Sequence, residues 1–228
     1  EIGDGTIIGK PGWGNDELQY YTDSTENVAT DGEGNLVITT RATDPETAPQ
    51  CYYGPCAYTS ARLVTRGKLE RRHGKFEARL KLPSGQGLWP AFWLLGADIG
   101  QVGWPACGEI DVMEYRGQQP RVALGTIHGP GYSGGASIGR TYQLPAGVPA
   151  FDEGFPVFAA EWDPRRIAFS VDGAVYHVVT PGSLPDGAAW VFEKPFFVIL
   201  NVAVGGNFVG PVGAGTTFPQ TMLVDWVR

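Results

Sequence analysis

The chain has 228 residues, of which 43% are hydrophobic and only 18% are charged, and its formal net charge is −7. This acidic, charge-poor composition argues against nucleic acid, anionic membranes and polyanionic substrates as partners, because each would require clustered basic side chains. No apolar run approaches the roughly 18 residues of a membrane span, and no signal peptide is evident at Glu1. The length suits one large domain, residues 1–228, and the 33 glycines and 18 prolines favour many short strands joined by turns.

Strand signals recur along the chain, whereas no helical periodicity exceeds two turns. The predicted strands are Leu36 to Arg41, Gly74 to Leu82, Ile167 to Val171, Ala174 to Val179 and Pro195 to Val204. The Asp172-Gly173 pair between the third and fourth of these is a type I′ hairpin signal. We expect one short helix within residues 183–192. Many strands with both faces occupied predict an all-β fold of two packed sheets.

The three cysteines are too few for a disulfide framework. Cys51 and Cys56 flank a Tyr-Tyr-Gly-Pro turn, and their spacing can close a small loop in an oxidising compartment. Cys107 is then left over. It lies two residues before an acidic motif, but no partner histidine is evident nearby, so we expect a buried, inert thiol.

The most informative segment places three carboxylates within six positions of an otherwise apolar run, Gly108-Glu109-Ile110-Asp111-Val112-Met113-Glu114-Tyr115. A strand has no structural need for three acids, since each loses solvation and repels the others unless it is used. The alternative is an exposed edge strand with solvated acids, which the apolar neighbours oppose. The motif therefore indicates acid/base or nucleophilic chemistry on a neutral substrate.

The spacing within this motif predicts a β-bulge. Glu109 and Asp111 share one face of a strand by strict alternation, but Glu114 has an odd offset from Glu109 and would point into the core. One extra residue near Val112-Met113 would return Glu114 to the acidic face. The three acids would then line one surface.

Glu109-x-Asp111-x-x-Glu114 resembles the signature of glycoside hydrolase family 16 in the bulged form typical of bacterial laminarinases, which are endo-β-1,3-glucanases. Four further blocks resemble the same family in the same order. They are Gly12-Trp13-Gly14-Asn15-Asp16-Glu17-Leu18-Gln19-Tyr20-Tyr21-Thr22, Tyr58-Thr59-Ser60-Ala61-Arg62-Leu63, Gly87-Leu88-Trp89-Pro90-Ala91-Phe92-Trp93-Leu94-Leu95-Gly96 and Trp104-Pro105-Ala106-Cys107-Gly108-Glu109. The resemblance implies a two-sheet antiparallel β-jelly-roll sandwich with a concave cleft.

The resemblance also implies roles for the acids. Glu109 would be the nucleophile and Glu114 the general acid/base of a retaining hydrolysis, which requires two carboxyls ~5–5.5 Å apart. Asp111 would hydrogen-bond the nucleophile and tune the coupled ionisation. No cofactor is expected in the chemistry.

Aromatic residues are candidates for sugar platforms. Trp89 and Trp93 share one strand face with Ala91, while Phe92 and Leu94 supply the opposite, core face. Trp104, in a loop with nearby glycine and proline, would form a wall of the cleft, and Trp13 is a weaker candidate. The alternative for each is ordinary core packing.

Polar candidates lie in the same blocks. Asn15 and Arg62 are expected to bind hydroxyl groups, with a turn residue and a surface ion pair as alternatives. Glu17 is either a ligand contact or a partner of Arg62. His128 is expected to hydrogen-bond Glu114 and tune its pKa, and the alternative is a structural histidine.

The sequence departs from the family pattern at its ends. It begins partway through the region before the Trp-Gly-Asn block, so the first strand of the family is expected to be missing. A structural calcium ion is common on the convex face, and the matching positions here are Gly34 and Asp225. The early ligand has no counterpart, and two ligands are few for an ion that takes six or more oxygens.

Three rival functions remain open. The first is a β-1,3-1,4-glucanase of the same fold, although dedicated lichenases more often have one residue fewer before the last glutamate, so Met113 favours a laminarinase. The second is a non-catalytic glucan-binding lectin, whose relatives typically lose the acids. The third is a metal site formed by the three carboxylates. We expect a secreted, extracellular monomer whose partner is a β-glucan polysaccharide.

Overall fold

The computed structural model describes residues 1–228 and is almost entirely β-structure. The eighteen strands are β1 Gln19–Tyr21, β2 Val28–Thr30, β3 Leu36–Ala42, β4 Gln50–Cys51, β5 Gly54–Pro55, β6 Tyr58–Ser60, β7 Arg62–Val64, β8 Glu70–Arg71, β9 Gly74–Lys81, β10 Leu88–Gly96, β11 Glu109–Tyr115, β12 Val122–His128, β13 Ile138–Gln143, β14 Val157–Asp163, β15 Arg166–Val171, β16 Ala174–Val179, β17 Phe196–Val204 and β18 Gln220–Val227. The helices are α1 Ile99–Val102 and the 3₁₀ turns Thr6–Ile8, Pro11–Gly14, Gly134–Ala136 and Pro181–Ser183. None of these helices has the length and apolarity needed to cross a membrane.

The strands form two large sheets and one small hairpin. The first sheet has the order β1-β6-β3-β18-β9-β14-β15-β16, with β2 beside β3. The second has the order β13-β12-β11-β10-β17-β7, with β8 beside β17, and β4 pairs with β5 alone. All pairings are antiparallel except that of β1 with β6. The predicted all-β, two-sheet β-jelly-roll sandwich is confirmed.

The hydrophobic core lies between the two large sheets. Both contribute fully buried aromatic rings, including Trp162 from β14 and Phe92 from β10. Strand β17 is buried at every position, as predicted for Pro195 to Val204. The sheets approach closely at Gly125 of β12, where an added Cβ would lie 2.5 Å from the Tyr176 hydroxyl. The inner face of the second sheet is therefore in direct contact with side chains of the first sheet at this position.

The local predictions agree with the structure except in one segment. Asp172 and Gly173 both have positive φ, 49° and 79°, as a type I′ turn requires. The short helix expected in residues 183–192 is wrong, since the only helical turn there ends at Ser183. Pro185 and Gly187 interrupt the segment, and the fully buried ring of Phe192 holds the chain that follows against the core.

Cys51 and Cys56, whose spacing permits a closed loop, form a disulfide, and Cys107 is the free, buried thiol that we expected. Burial raises the pKa of Cys107 to about 12, so the thiol stays protonated and inert.

Candidate active site

The acidic strand β11 contains the predicted bulge. Asp111 lies opposite Thr126 of β12, and Glu114 lies opposite Leu124, so β11 advances three residues while β12 advances two. Val112 and Met113 are both buried in the core. The extra residue returns Glu114 to the face that carries the other two acids.

The three carboxyls form one electrostatic unit. Burial raises the pKa of Glu109, Asp111 and Glu114 to about 8 each. The negative charge of Asp111 raises the pKa of both glutamates further. A hydrogen bond with Glu109 lowers the pKa of Asp111 and so offsets part of the effect of burial there. The cluster therefore holds at least one proton near neutral pH, which is the state that a leaving-group acid requires.

Each glutamate accepts a hydrogen bond from its own tryptophan. The Trp104 indole Nε1 donates to Glu109 Oε2 at 3.1 Å, and the Trp89 Nε1 donates to Glu114 Oε1 at 3.2 Å. These bonds favour the charged form of each carboxyl and fix its direction. The tryptophans predicted as sugar platforms thus also orient the two reactive acids.

His128 contacts a different acid from the one predicted. Its Nε2 lies 3.1 Å from Asp111 Oδ2 and 3.6 Å from Glu109 Oε1, so the expected hydrogen bond to Glu114 is wrong. The reason is register, because His128 lies opposite Glu109 in the β11–β12 ladder. The contact with Asp111 is not aligned as a hydrogen bond, and the buried Oδ2 has no other partner. Burial of this carboxyl is what favours its protonated form.

The same histidine decides the metal alternative. Ligand atoms of Glu109, Asp111 and His128 lie within 4.8 Å of one another, so the donor set resembles a metal site. However, His128 Nδ1 accepts a hydrogen bond from the Gly134 amide at 3.1 Å. In the neutral ring the proton then lies on Nε2, the atom that a metal would need as a lone-pair donor. The cluster fits proton sharing and does not fit a metal ion.

Arg62 lies between two aromatic rings beside the acids. Its guanidinium carbon is 4.4 Å from the centre of the Trp13 ring and 4.8 Å from that of Trp93. It also forms an ion pair with Glu1 at 2.5 Å. The stacked arrangement fixes the fork of donors at the edge of the predicted subsite.

A buried network of side-chain hydrogen bonds connects Trp93 with Asn15. The Trp93 indole donates to Asn201 Oδ1 at 2.7 Å, and the Asn201 amide donates to the Tyr21 hydroxyl at 3.0 Å. Tyr21 lies 3.5 Å from Glu17, which also accepts a hydrogen bond from Asn15 at 3.1 Å. Glu17 is therefore a buried acceptor at the end of this hydrogen-bond network and is not ion-paired with Arg62. Sequence reasoning missed Tyr21 and Asn201.

A second aromatic platform was also missed. The centre of the Phe208 ring lies 4.8 Å from that of the Trp89 ring, and the Arg116 guanidinium carbon lies 3.8 Å from the centre of the Phe208 ring. Phe208 follows Gly205-Gly206-Asn207 just after β17. An aromatic residue after a glycine pair at the end of a buried strand is the signal that could have found it.

The structure does not support the predicted calcium donors. Leu36 pairs with Val224, so Gly34 and Asp225 lie toward the same end of strands β3 and β18. The Asp225 carboxylate, however, is ion-paired with Arg79. One carboxylate already paired with a cation and one backbone carbonyl fall short of the six or more oxygens that calcium takes. The residues present therefore do not fit the ion.

Replacing Asp111 with Asn should change how stability depends on pH. The folded pKa of Asp111 is raised to about 8, so its contribution to stability is fully present below the unfolded pKa near 4 and is lost as pH rises towards 8. Relative to wild type, Asp111→Asn should gain at least about 1 kcal/mol of unfolding free energy between pH 5 and pH 8. Urea unfolding at both pH values measures this. Asp186→Asn, at an exposed loop position, is the matched control, and an equal response of both variants would contradict the argument.

Comparison with known proteins agrees with this geometry. Residues 15–228 match the model of Glycosyl hydrolases family 16. The laminarinase catalytic domain from Thermotoga maritima MSB8 is 53% identical with a TM-score of 0.94, covering 100% of this chain and 88% of that one. The endo-beta-1,3-glucanase from Pyrococcus furiosus is 51% identical with a TM-score of 0.90, covering 100% and 85%. A Beta-glucanase of Rhodothermus marinus is 41% identical over 97% of this chain and 76% of its own length.

The family match covers more than nine-tenths of the chain and includes all three acids of the bulged strand. Glycosidases of this family act without a catalytic cofactor. The chain is a glycoside hydrolase and belongs to Glycosyl hydrolases family 16.

Proposed function

We propose that this chain cleaves β-1,3-glucosidic bonds within laminarin-type glucans and retains the configuration of the anomeric carbon. The observation that carries the proposal is the bulge that brings Glu109 and Glu114 to one face, each with its own indole donor. The structures of a laminarinase and of an endo-beta-1,3-glucanase, each more than 50% identical to this chain, support the choice of substrate.

In the first step Glu109 attacks the anomeric carbon while Glu114 gives its proton to the departing glycosidic oxygen. The carbon–oxygen bond to the leaving sugar breaks, and a covalent glucosyl ester forms on Glu109. In the second step Glu114 takes a proton from water, the resulting oxygen attacks the same carbon, and the ester bond breaks. Two inversions give net retention.

The environment of each glutamate fits its role. Glu109 must begin ionised, and the Trp104 indole donor and the positive charge of Arg62 favour that form. Glu114 must begin protonated, and burial together with the charge of Asp111 favours that form, while the same two effects also raise the pKa of Glu109 to about 8. Asp111 can shift its proton as charge moves between the two glutamates.

The composition of the cleft fits a neutral, flat sugar. Indole rings at Trp89, Trp93 and Trp104 supply apolar faces, and Phe208 extends the surface next to Trp89. Asn15 and Arg62 carry hydrogen-bond donors, and Arg62 lies against the Trp93 ring. A glucan presents apolar ring faces and hydroxyl edges, so platforms and donors in one cleft match it.

The rivals differ in what they require of the site. A mixed-linkage β-1,3-1,4-glucanase would use the same acids, so only the substrate preference separates it. A non-catalytic glucan-binding protein would have no need of three coupled carboxyls, and all three are present with raised pKa values. The enzyme is therefore favoured over the binding module.

Product analysis on three polymers tests the proposal. We expect rapid release of oligosaccharides from laminarin, slower release from barley β-glucan and none from carboxymethylcellulose, which lacks β-1,3 bonds. Proton NMR early in the reaction should show the β-anomer first. Barley β-glucan cleaved faster than laminarin would favour the mixed-linkage rival. No cleavage of either polymer would contradict the enzyme.

We further propose that the protein works outside the cell as a monomer. The Cys51–Cys56 disulfide supports an oxidising compartment. Size-exclusion chromatography with light scattering should give a mass near 24.5 kDa, and a dimer mass would contradict the monomer.

A further inference from the structure

The segment between strands β10 and β11, residues 97–108, carries Trp104 over the reactive acids. We call it the Trp104 segment. It contains the short helix Ile99–Val102, and its two ends meet where the Gly96 amide donates to the Gly108 carbonyl at 3.1 Å. An added Cβ on Gly96 would lie 1.9 Å from the Cys107 carbonyl oxygen, so the ends approach as closely as backbone allows.

Lys194, just before β17, ties this segment together. Its Nζ donates to Asp98 Oδ2 at 2.7 Å and to the Ala106 carbonyl at 3.0 Å. Asp98 precedes the short helix, and Ala106 lies two residues after Trp104, so one ammonium group bridges both halves of the segment. The Lys194 side chain is 24% exposed and that of Asp98 is 28% exposed, which leaves the pair only partly screened by water.

Trp104 itself has little other support. The residue is 47% exposed, its ring centre lies 6.0 Å from that of His128, and its only side-chain hydrogen bond goes to Glu109. Its placement must therefore come from the backbone of the Trp104 segment. Lys194 fixes that backbone at two points, Asp98 and Ala106, in addition to the hydrogen bonds within the segment.

We propose that Lys194 is a positioning residue for the nucleophile, acting through the Trp104 segment to keep the Trp104 indole N–H directed at Glu109. The inference rests on the proposed function, because it assigns a task in the reaction of that site. Lys194 does not touch the substrate or the reacting atoms. Its effect on hydrolysis should pass through the Trp104 indole.

A double-mutant cycle tests this path. Lys194→Met removes the ammonium group with both of its hydrogen bonds and keeps an unbranched aliphatic side chain. Trp104→Phe removes the indole N–H and keeps an aromatic ring. We expect each single variant to lower kcat/KM for laminarin about tenfold, and the double variant to lose about tenfold as well, because residues on one path are not additive. A hundredfold loss in the double variant would overturn the proposal.

Two further variants separate positioning from folding. Lys194→Arg retains a cation and several donors, and we expect it to recover kcat/KM to within about threefold of wild type. Lys75→Met removes a lysine–glutamate pair on the other large sheet and should leave kcat/KM unchanged. If Lys194→Met does not fold, Asp98→Asn weakens the same bridge, and its effect must likewise vanish in the Trp104→Phe background.

The outcomes also separate this inference from the proposed function. Wild-type protein that does not cleave laminarin would contradict the function itself. Active wild type with wild-type kcat/KM in Lys194→Met, or with additive losses, would contradict only the role of Lys194.

Discussion

Glu109→Gln is expected to lower kcat on laminarin by at least about 10⁴-fold while the fold and glucan binding survive. The amide has the shape of the carboxylate and can still accept the Trp104 hydrogen bond, but it cannot form the glucosyl ester. The aromatic platforms are unchanged. Initial rates by reducing-end assay, melting temperature, and calorimetric binding of a laminari-oligosaccharide measure the three quantities.

The control for this variant is Glu161→Gln, which makes the same chemical change at an exposed position of β14 in the other large sheet. It should have wild-type kcat. Turnover of Glu109→Gln within tenfold of wild type would contradict the nucleophile role of Glu109. If Glu109→Gln shows no cooperative unfolding transition, the activity of Glu109→Asp tests the same role.

Glu114→Ala is expected to lose about 10³-fold on laminarin but much less on an aryl β-glucoside with a good leaving group. An activated phenolate departs without a proton, so formation of the ester on Glu109 proceeds. The ester then accumulates, since no base activates water. Azide should restore turnover and give a β-glycosyl azide, which NMR identifies.

Glu109→Ala with azide is the matched comparison. Azide would there replace the nucleophile in a single displacement and give the α-glycosyl azide. Equal losses of Glu114→Ala on both substrates, or a β-azide from Glu109→Ala, would contradict the assigned roles.

The acidic strand was predictable from sequence because its chemistry conflicts with its periodicity. Three acids on a buried strand require a use, and the odd offset of Glu114 from Glu109 requires a bulge. Alternation alone also placed Trp89 and Trp93 on one face. These inferences depend only on neighbouring residues.

The supports of the site were not predictable in the same way. Asn201 is the single polar residue of strand β17, and it contacts Tyr21 and Trp93, which are 180 and 108 residues away. The partner of His128 depends on the pairing register of β11 with β12, which no local pattern determines. Lys194 reads as a surface lysine until the fold brings Asp98 beside it.

The extra residue in β11 also affects whether a one-residue deletion in this strand can be tolerated. Elsewhere in a strand, an insertion or deletion of one codon moves every later side chain to the opposite face. Between Asp111 and Glu114, loss of one residue would restore strict alternation, and both glutamates would stay on the cleft. The change would remove one buried side chain, Val112 or Met113, at about 2–5 kcal/mol of stability. This position is therefore a point in the catalytic strand where a single-codon deletion can preserve the reaction geometry.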